Sequence, residues 1–123
     1  MTTLTEGRHA GGFLVWETSR DYTRDTVTLT SGAGKLEPGT VLGKITTGGK
    51  FTLLAPAASN GSQNAAGILW GPADATAADA AAVVVLRGPA IVNRNDIVWP
   101  EGATEPQITA AIAALAALGI LLR

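Results

Sequence analysis

The stretch that most limits what this chain can fold into is its last quarter, Asp96-Ile97-Val98-Trp99-Pro100-Glu101-Gly102 running into Thr104 to Arg123. Trp99 ends a strand-like run, and Pro100 has no N–H for a sheet ladder, so a strand must stop there. Gly102 turns the chain, and Thr104 with Gln107 three residues later has the spacing of a helix capping box. Glu105 and Pro106 occupy first-turn positions that suit a helix N-terminus. Beyond them Ile108, Ile112, Leu115 and Leu118 recur at intervals of three and four, with alanine filling most other places. That pattern predicts a helix with one narrow apolar stripe and small flanks, able to lie close against a sheet. Gly119 reads as the helix stop, and Ile120-Leu121-Leu122 as a short final strand. Trp99 is expected in the core or at a contact between copies; Trp99→Ala at a buried site costs roughly 3–5 kcal/mol.

Composition narrows the class. The 123 residues are long enough for one domain with a true core. A net charge of −1 with only 15% charged residues gives no electrostatic case for nucleic acid or an anionic membrane. The absence of cysteine removes disulfide frameworks and cysteine-based zinc sites. Met1 to Arg8 lacks the apolar core of a signal peptide. The apolar run from Ile108 to Leu122 is shorter than the roughly 20 residues of a membrane span, and Gly119 breaks it.

In order along the chain, Met1 to Gly12 is polar and glycine-bearing, and Phe13-Leu14-Val15-Trp16 is a brief apolar island. Glu17 to Asp25 is polar again, with Arg20, Tyr22 and Arg24. Residues 1–25 therefore read either as an ordinary first strand docked on its own sheet or as an arm that orders on a partner by strand addition. Residues 26–123 form the domain. Thr26-Val27-Thr28-Leu29-Thr30 alternates as a half-buried strand does. Ser31 to Lys35 and Glu37-Pro38-Gly39 are turns. Thr40 to Thr46 and Phe51 to Leu54 are strands joined by a hairpin at Thr47-Gly48-Gly49-Lys50. Residues 55 to 64 are a loop, and Ala65 to Trp70 is a strand ended by Gly71-Pro72. Asp74 to Ala82 reads as a turn of helix or as a surface loop. Ala82-Val83-Val84-Val85-Leu86 is continuously apolar and so is expected to be buried on both faces. After the bend at Arg87-Gly88-Pro89, Ala90-Ile91-Val92 continues toward Asn93. The fold class is α+β and mostly β: a small antiparallel or mixed sheet or partial barrel, one C-terminal alanine-rich helix and a flexible N-terminal arm.

Candidate chemistry is thin. Gly32-Ala33-Gly34-Lys35 resembles part of a phosphate loop but lacks the Walker spacing, a following Ser or Thr, and a helix, so it reads as a turn. His9 stands without a second histidine or a cysteine to share a metal. Asp74 and Asp79 sit among alanines with nothing to desolvate them for acid–base work. No calcium-loop spacing follows Asn93, Asn95 and Asp96. The sequence thus offers no catalytic constellation, metal ligand set or cofactor site, and leaves the non-enzymatic readings to be weighed. Lys44 or Lys50 near a hairpin would suit a biotin- or lipoate-carrying domain, but both follow glycine and lack that domain's flanking residues.

"DIVWPEGAT" followed by an alanine-rich helix, with "GTVLGKIT" and "AAGILWGPADATAADAAAVVVLRGPAIV" upstream, resembles the head decoration proteins of tailed phages, the lambda D type. The resemblance covers roughly residues 26 to 123 and rests on the order and spacing of several segments. It implies a homotrimer on three-fold or quasi-three-fold sites of the expanded head, outside the capsid, made in the host cytoplasm, with the major capsid protein as partner. No nucleic-acid or membrane partner is expected, given the net charge of −1 and the short apolar run. The resemblance also favours the arm reading, making Phe13, Leu14, Val15, Trp16, Arg20, Tyr22 and Arg24 capsid-contact candidates, and Trp99, Pro100, Ile108, Ile112 and Leu115 the structural or trimer core. Another virion structural or adaptor protein is the alternative reading.

Overall fold

The apolar runs become short strands around a small barrel in the computed structural model, which describes residues 9–123. In chain order the elements are β1 (Leu14–Glu17), the single turn α1 (Arg20–Thr23), β2 (Arg24–Leu29), β3 (Gly34–Leu36), β4 (Val41–Lys44) and β5 (Phe51–Leu53). They continue as β6 (Ala65–Leu69), β7 (Ala73–Ala75), β8 (Ala80–Val85), β9 (Ala90–Val92), a 3-10 turn at Arg94–Asp96, α2 (Glu105–Ala117) and β10 (Ile120–Leu122).

Five strands close in the order β2-β5-β4-β6-β8. All the pairings are antiparallel except the closure: β2 meets β5 in parallel at the single pair Leu29↔Phe51. The β4–β5 hairpin forms where the glycine-rich turn predicts it. Successive side chains of a strand point to opposite faces, and at Val41-Leu42, Ile68-Leu69 and Val84-Val85 both faces are dry, while β2 leaves Thr26 and Thr28 exposed. Leu42, Leu69 and Val84 fill the barrel with Leu29 and Phe51, while their neighbours Val41, Ile68 and Val85 point outward into a second apolar layer. This is why Ala82 to Val85 reads as a continuous apolar run.

The second layer is roofed by α2 and by a three-stranded sheet in the order β1-β9-β10. β10 runs parallel to β9, so α2 is the crossover between two parallel strands. The predicted capping box is present: the Gln107 N–H donates to Thr104 Oγ1 at 3.4 Å, and the Thr104 N–H donates to Gln107 Oε1 at 2.9 Å. Gly119, with φ of +88°, lets the chain leave the helix. The buried face of α2 is set by Ala111 and Leu115; Ile108 and Ile112 are half-buried, and Leu118 is 36% exposed. The inward face therefore runs through an alanine as well as a leucine. Ala111 lacks the bulk that would hold the helix away from β6 and β10, against which α2 packs.

Three local expectations change. Asp74 to Ala82 contains neither a helix turn nor a plain loop, but β7, a turn and the start of β8. β7 pairs antiparallel with β3 through Gly34↔Ala75 and Leu36↔Ala73, and Asp74 Oδ1 accepts from Thr76 Oγ1 and the Thr76 N–H. The run into Trp99 is no full strand: only Val98 bridges, to Thr40, between the 3-10 turn and Pro100. Trp99 itself is half-buried against the outer apolar layer. Finally, residues 13 to 25 pack on the body of the domain. Phe13 is 2% exposed in the outer core, Thr23 is fully buried, β1 pairs with β9, and Arg24 and Asp25 open the β2–β8 ladder.

Candidate interaction surface

The sequence-predicted contact residues divide into those that hold β1 in place and those that face outward. β1 pairs antiparallel with β9 through Leu14↔Val92, Trp16↔Ile91 and Glu17↔Ala90, with a shift in register between Leu14 and Trp16. Val15 is the extra residue of this β-bulge, and a bulge re-aims side chains. Val15 and Trp16 are both exposed, at 63% and 50%. Across the sheet, Ile91 lies opposite Trp16 on one side and Leu121 on the other. Ala90, Val92 and Ile120 turn inward to the core, so Trp16, Ile91 and Leu121 form one apolar row on the outer face, with Val15 beside it. Contiguous exposed apolar residues of this kind make this face the candidate interaction surface.

Behind that face, β1 is clamped to β2. Glu17 accepts hydrogen bonds from Thr23 Oγ1 at 2.5 Å and Arg24 Nε at 3.2 Å, and its other oxygen pairs with Arg24 Nη2. The Arg24 guanidinium lies 4.6 Å from the Trp70 ring centroid, a cation–π contact. Burial pushes the Glu17 carboxyl up. The hydrogen bonds from Arg24 and Thr23, and the charges of Arg24 and Arg20, outweigh that and leave it below the ordinary 4.5. Phe13 and Arg24 thus secure the segment, whereas Val15, Trp16, Arg20 and Tyr22 face solvent. Arg87 braces Tyr22 from below, donating to the Tyr22 carbonyl and to Asp25 Oδ2, with its guanidinium 5.6 Å from the Tyr22 ring centroid. Sequence reasoning missed Ile91 and Leu121, whose partnership with Trp16 depends on strand order.

The remaining candidates are structural. Gly32 to Lys35 is a turn entering β3, with no helix after it. Lys44 ends β4 and Lys50 precedes β5, so neither stands at the hairpin tip. Lys50 is paired with Asp79 at 2.6 Å, and Asp79 also accepts from the Ser31 N–H. The Lys50 hydrogen bond, then that from Ser31, holds the Asp79 carboxyl below its usual value. Among the described residues no group of three or more His, Cys, Asp or Glu is placed to hold a metal ion, and no helix is long and apolar enough to cross a membrane.

None of the curated proteins matches the chain. A family model for bacteriophage lambda head decoration protein D matches residues 3–120, which takes in the barrel, β1, β9, α2 and the first residue of β10. With nearly the whole chain covered, the protein belongs to the bacteriophage lambda head decoration protein D family, structural proteins of the phage capsid.

Proposed function

We propose that this protein binds the outer surface of the expanded phage head as a homotrimer, at three-fold or quasi-three-fold sites, and stabilises the shell against the pressure of packaged DNA. The family match over residues 3–120 carries this reading. The mechanism is adhesion, with no bond made or broken. A closed trimer repeats each contact around its axis, and simultaneous engagement raises avidity well above that of one weak contact, where the geometry lets all copies reach the shell at once. The major capsid protein is the partner in this reading.

The N-terminal segment through Tyr22 is assigned the shell contact, as the family resemblance implies, with its roles divided. Phe13 and Leu14 anchor it, while Val15, Trp16, Arg20 and Tyr22 meet the capsid. The apolar pair at the bulge suits an interface core, and Tyr22 and Arg20 suit its rim. The test combines light scattering after size-exclusion chromatography with mixing onto expanded empty heads. The wild-type protein should elute as a trimer and decorate the heads. A Val15→Asp/Trp16→Asp variant, altered only at exposed positions, should keep its unfolding midpoint and lose decoration. Undiminished decoration by the double variant removes β1 from the contact.

A further inference from the structure

The barrel is closed by one residue pair, and that leaves a gap. β2 pairs with β8 along its whole length but with β5 at Leu29↔Phe51 alone, so among the described residues the β5 side of β2 is open from Arg24 to Thr28. The phase of the ladder fixes which backbone groups face that gap. Bonded and non-bonded pairs alternate in antiparallel strands, and the Leu86 N–H donates to the Thr23 carbonyl at 2.8 Å. Asp25, Val27 and Leu29 therefore bond toward β8, while Thr26 and Thr28 face away. Two bonds agree with this phase: Thr30 N–H to the Phe51 carbonyl at 2.8 Å, and Trp70 N–H to the Val83 carbonyl at 2.9 Å. Among the described residues, nothing pairs with the Thr26 N–H and C=O or with the Thr28 N–H.

These groups border a groove of about 490 Å³ whose far wall is formed by Lys44, Gly49, Lys50 and Phe51. Lys50 is occupied by Asp79, and Asp25 on the near wall by Arg87. Lys44 makes no ion pair with a described residue; its ammonium lies 6.0 Å from the Phe51 ring centroid. Among the described residues the groove thus presents an unpaired strand edge and one positive charge without an ion-pair partner.

We propose that this seam is a strand-acceptor site, which takes an extended segment of the shell protein carrying a carboxylate opposite Lys44. The inference rests on the head-binding reading above and adds to it a second contact, distinct from the apolar face of β1. Main-chain bonds to Thr26 and Thr28 supply the affinity, and the Lys44 charge selects an acidic strand. The described strands of a second copy of this chain are poor donors. Glu17 on β1 is held by Arg24 and Thr23, Asp74 on β7 by Thr76, and β10 is Ile-Leu-Leu followed by Arg123.

Peptide-resolved hydrogen exchange on the wild-type protein, free and bound to expanded undecorated heads, tests this together with two variants. Thr26→Pro removes an N–H that the β8 ladder does not use, and proline is tolerated at such an edge. Lys44→Glu reverses the charge. Exchange over residues 24–28 should slow at least tenfold on the heads. Thr26→Pro should weaken decoration at least tenfold and Lys44→Glu several-fold. If Thr26→Pro fails to fold, exchange in the wild type and decoration by Lys44→Glu still decide. Exchange on the heads as fast as in the free protein overturns the inference while leaving head binding intact. Protection already complete in the free protein overturns the assignment to a shell strand, because the occupant is then this protein itself. Failure of the wild type to bind heads overturns the function reading, and this inference with it.

Discussion

Replacing Leu115 with alanine separates the face of α2 seen in the structure from the face its large residues trace in the sequence. Leu115 is 0% exposed in the outer apolar layer, whereas Leu118, on the same sequence stripe, is 36% exposed at the helix end. Truncating a fully buried leucine removes its transfer energy and leaves a cavity, together costing about 2–5 kcal/mol. Leu118→Ala loses only part of one side chain's burial and opens no closed cavity, so it should cost less than about 1 kcal/mol. For a domain of this size, between the reference classes, 1 kcal/mol moves the midpoint by about 4 °C, so Leu115→Ala should melt roughly 8–20 °C lower. Urea unfolding followed by tryptophan fluorescence measures the difference. The protein concentration must be equal in every sample, since any assembly makes stability concentration-dependent. The slope with urea should stay constant while the midpoint falls. Equal costs at the two positions, or a Leu115→Ala cost below about 1 kcal/mol, would show that the helix packs on another face.

Three further substitutions probe other parts of the fold. Glu17→Gln should destabilise by about 1–3 kcal/mol at neutral pH, since it strips a charged partner from the partly buried Arg24. The Glu17 carboxyl titrates below its ordinary 4.5, so its contribution is present above that pH and fades as the pH falls through the lowered value. Stability curves of the two proteins should therefore converge in acid; a gap that stays constant down to acid unfolding removes Glu17 as the cause. Trp99→Ala should cost less than about 3 kcal/mol, below the range of a fully buried tryptophan, because the side chain is only half-buried; chemical denaturation reads this directly. Gly88→Ala should abolish soluble expression or lower the melting temperature by more than any side-chain truncation. Its new Cβ would lie 1.8 Å from the Gly119 carbonyl oxygen, where backbone on both sides has no room to yield. Thermal melts of the purified variant, or its loss to the insoluble fraction, check this.

Much of the fold is legible in the sequence wherever the signal is local. Thr104 and Gln107 cap each other within one helical turn, the Thr47 to Lys50 turn needs only its own glycines, and Ala82 to Val85 shows its two-sided burial in its composition. The β3–β7 ribbon is not legible, because three residues such as Ala73-Asp74-Ala75 carry no period and their partner lies far away in the chain. The face of α2 misleads for a different reason: where alanine fills the helix, the large residues fix the apparent stripe, yet close approach is set by the small Ala111. Phe13 to Trp16 hides its role because the bulge at Val15 puts Leu14 and Trp16, which strict alternation would place on one face, on opposite faces. The apolar row of Trp16, Ile91 and Leu121 comes from three distant segments, and only the strand order brings it together.

The stretch of barrel wall in β4, β6 and the end of β8 that is dry on both sides has a consequence for how those strands find their alignment. In a one-sided sheet, sliding a strand by one position puts greasy groups into water, and the error corrects itself. Exchanging Val84 with Val85, or Ile68 with Leu69, incurs no such penalty, because either orientation meets hydrocarbon. The discriminating signal must be shape. Gly43 and Gly67 occupy points where even a methyl group would strike Ser62 backbone at 2.3 Å or Val84 Cγ1 at 2.7 Å. Any slid arrangement drives a bulkier neighbour into those gaps, so two notches with no side chain act as the keyway that admits only one alignment.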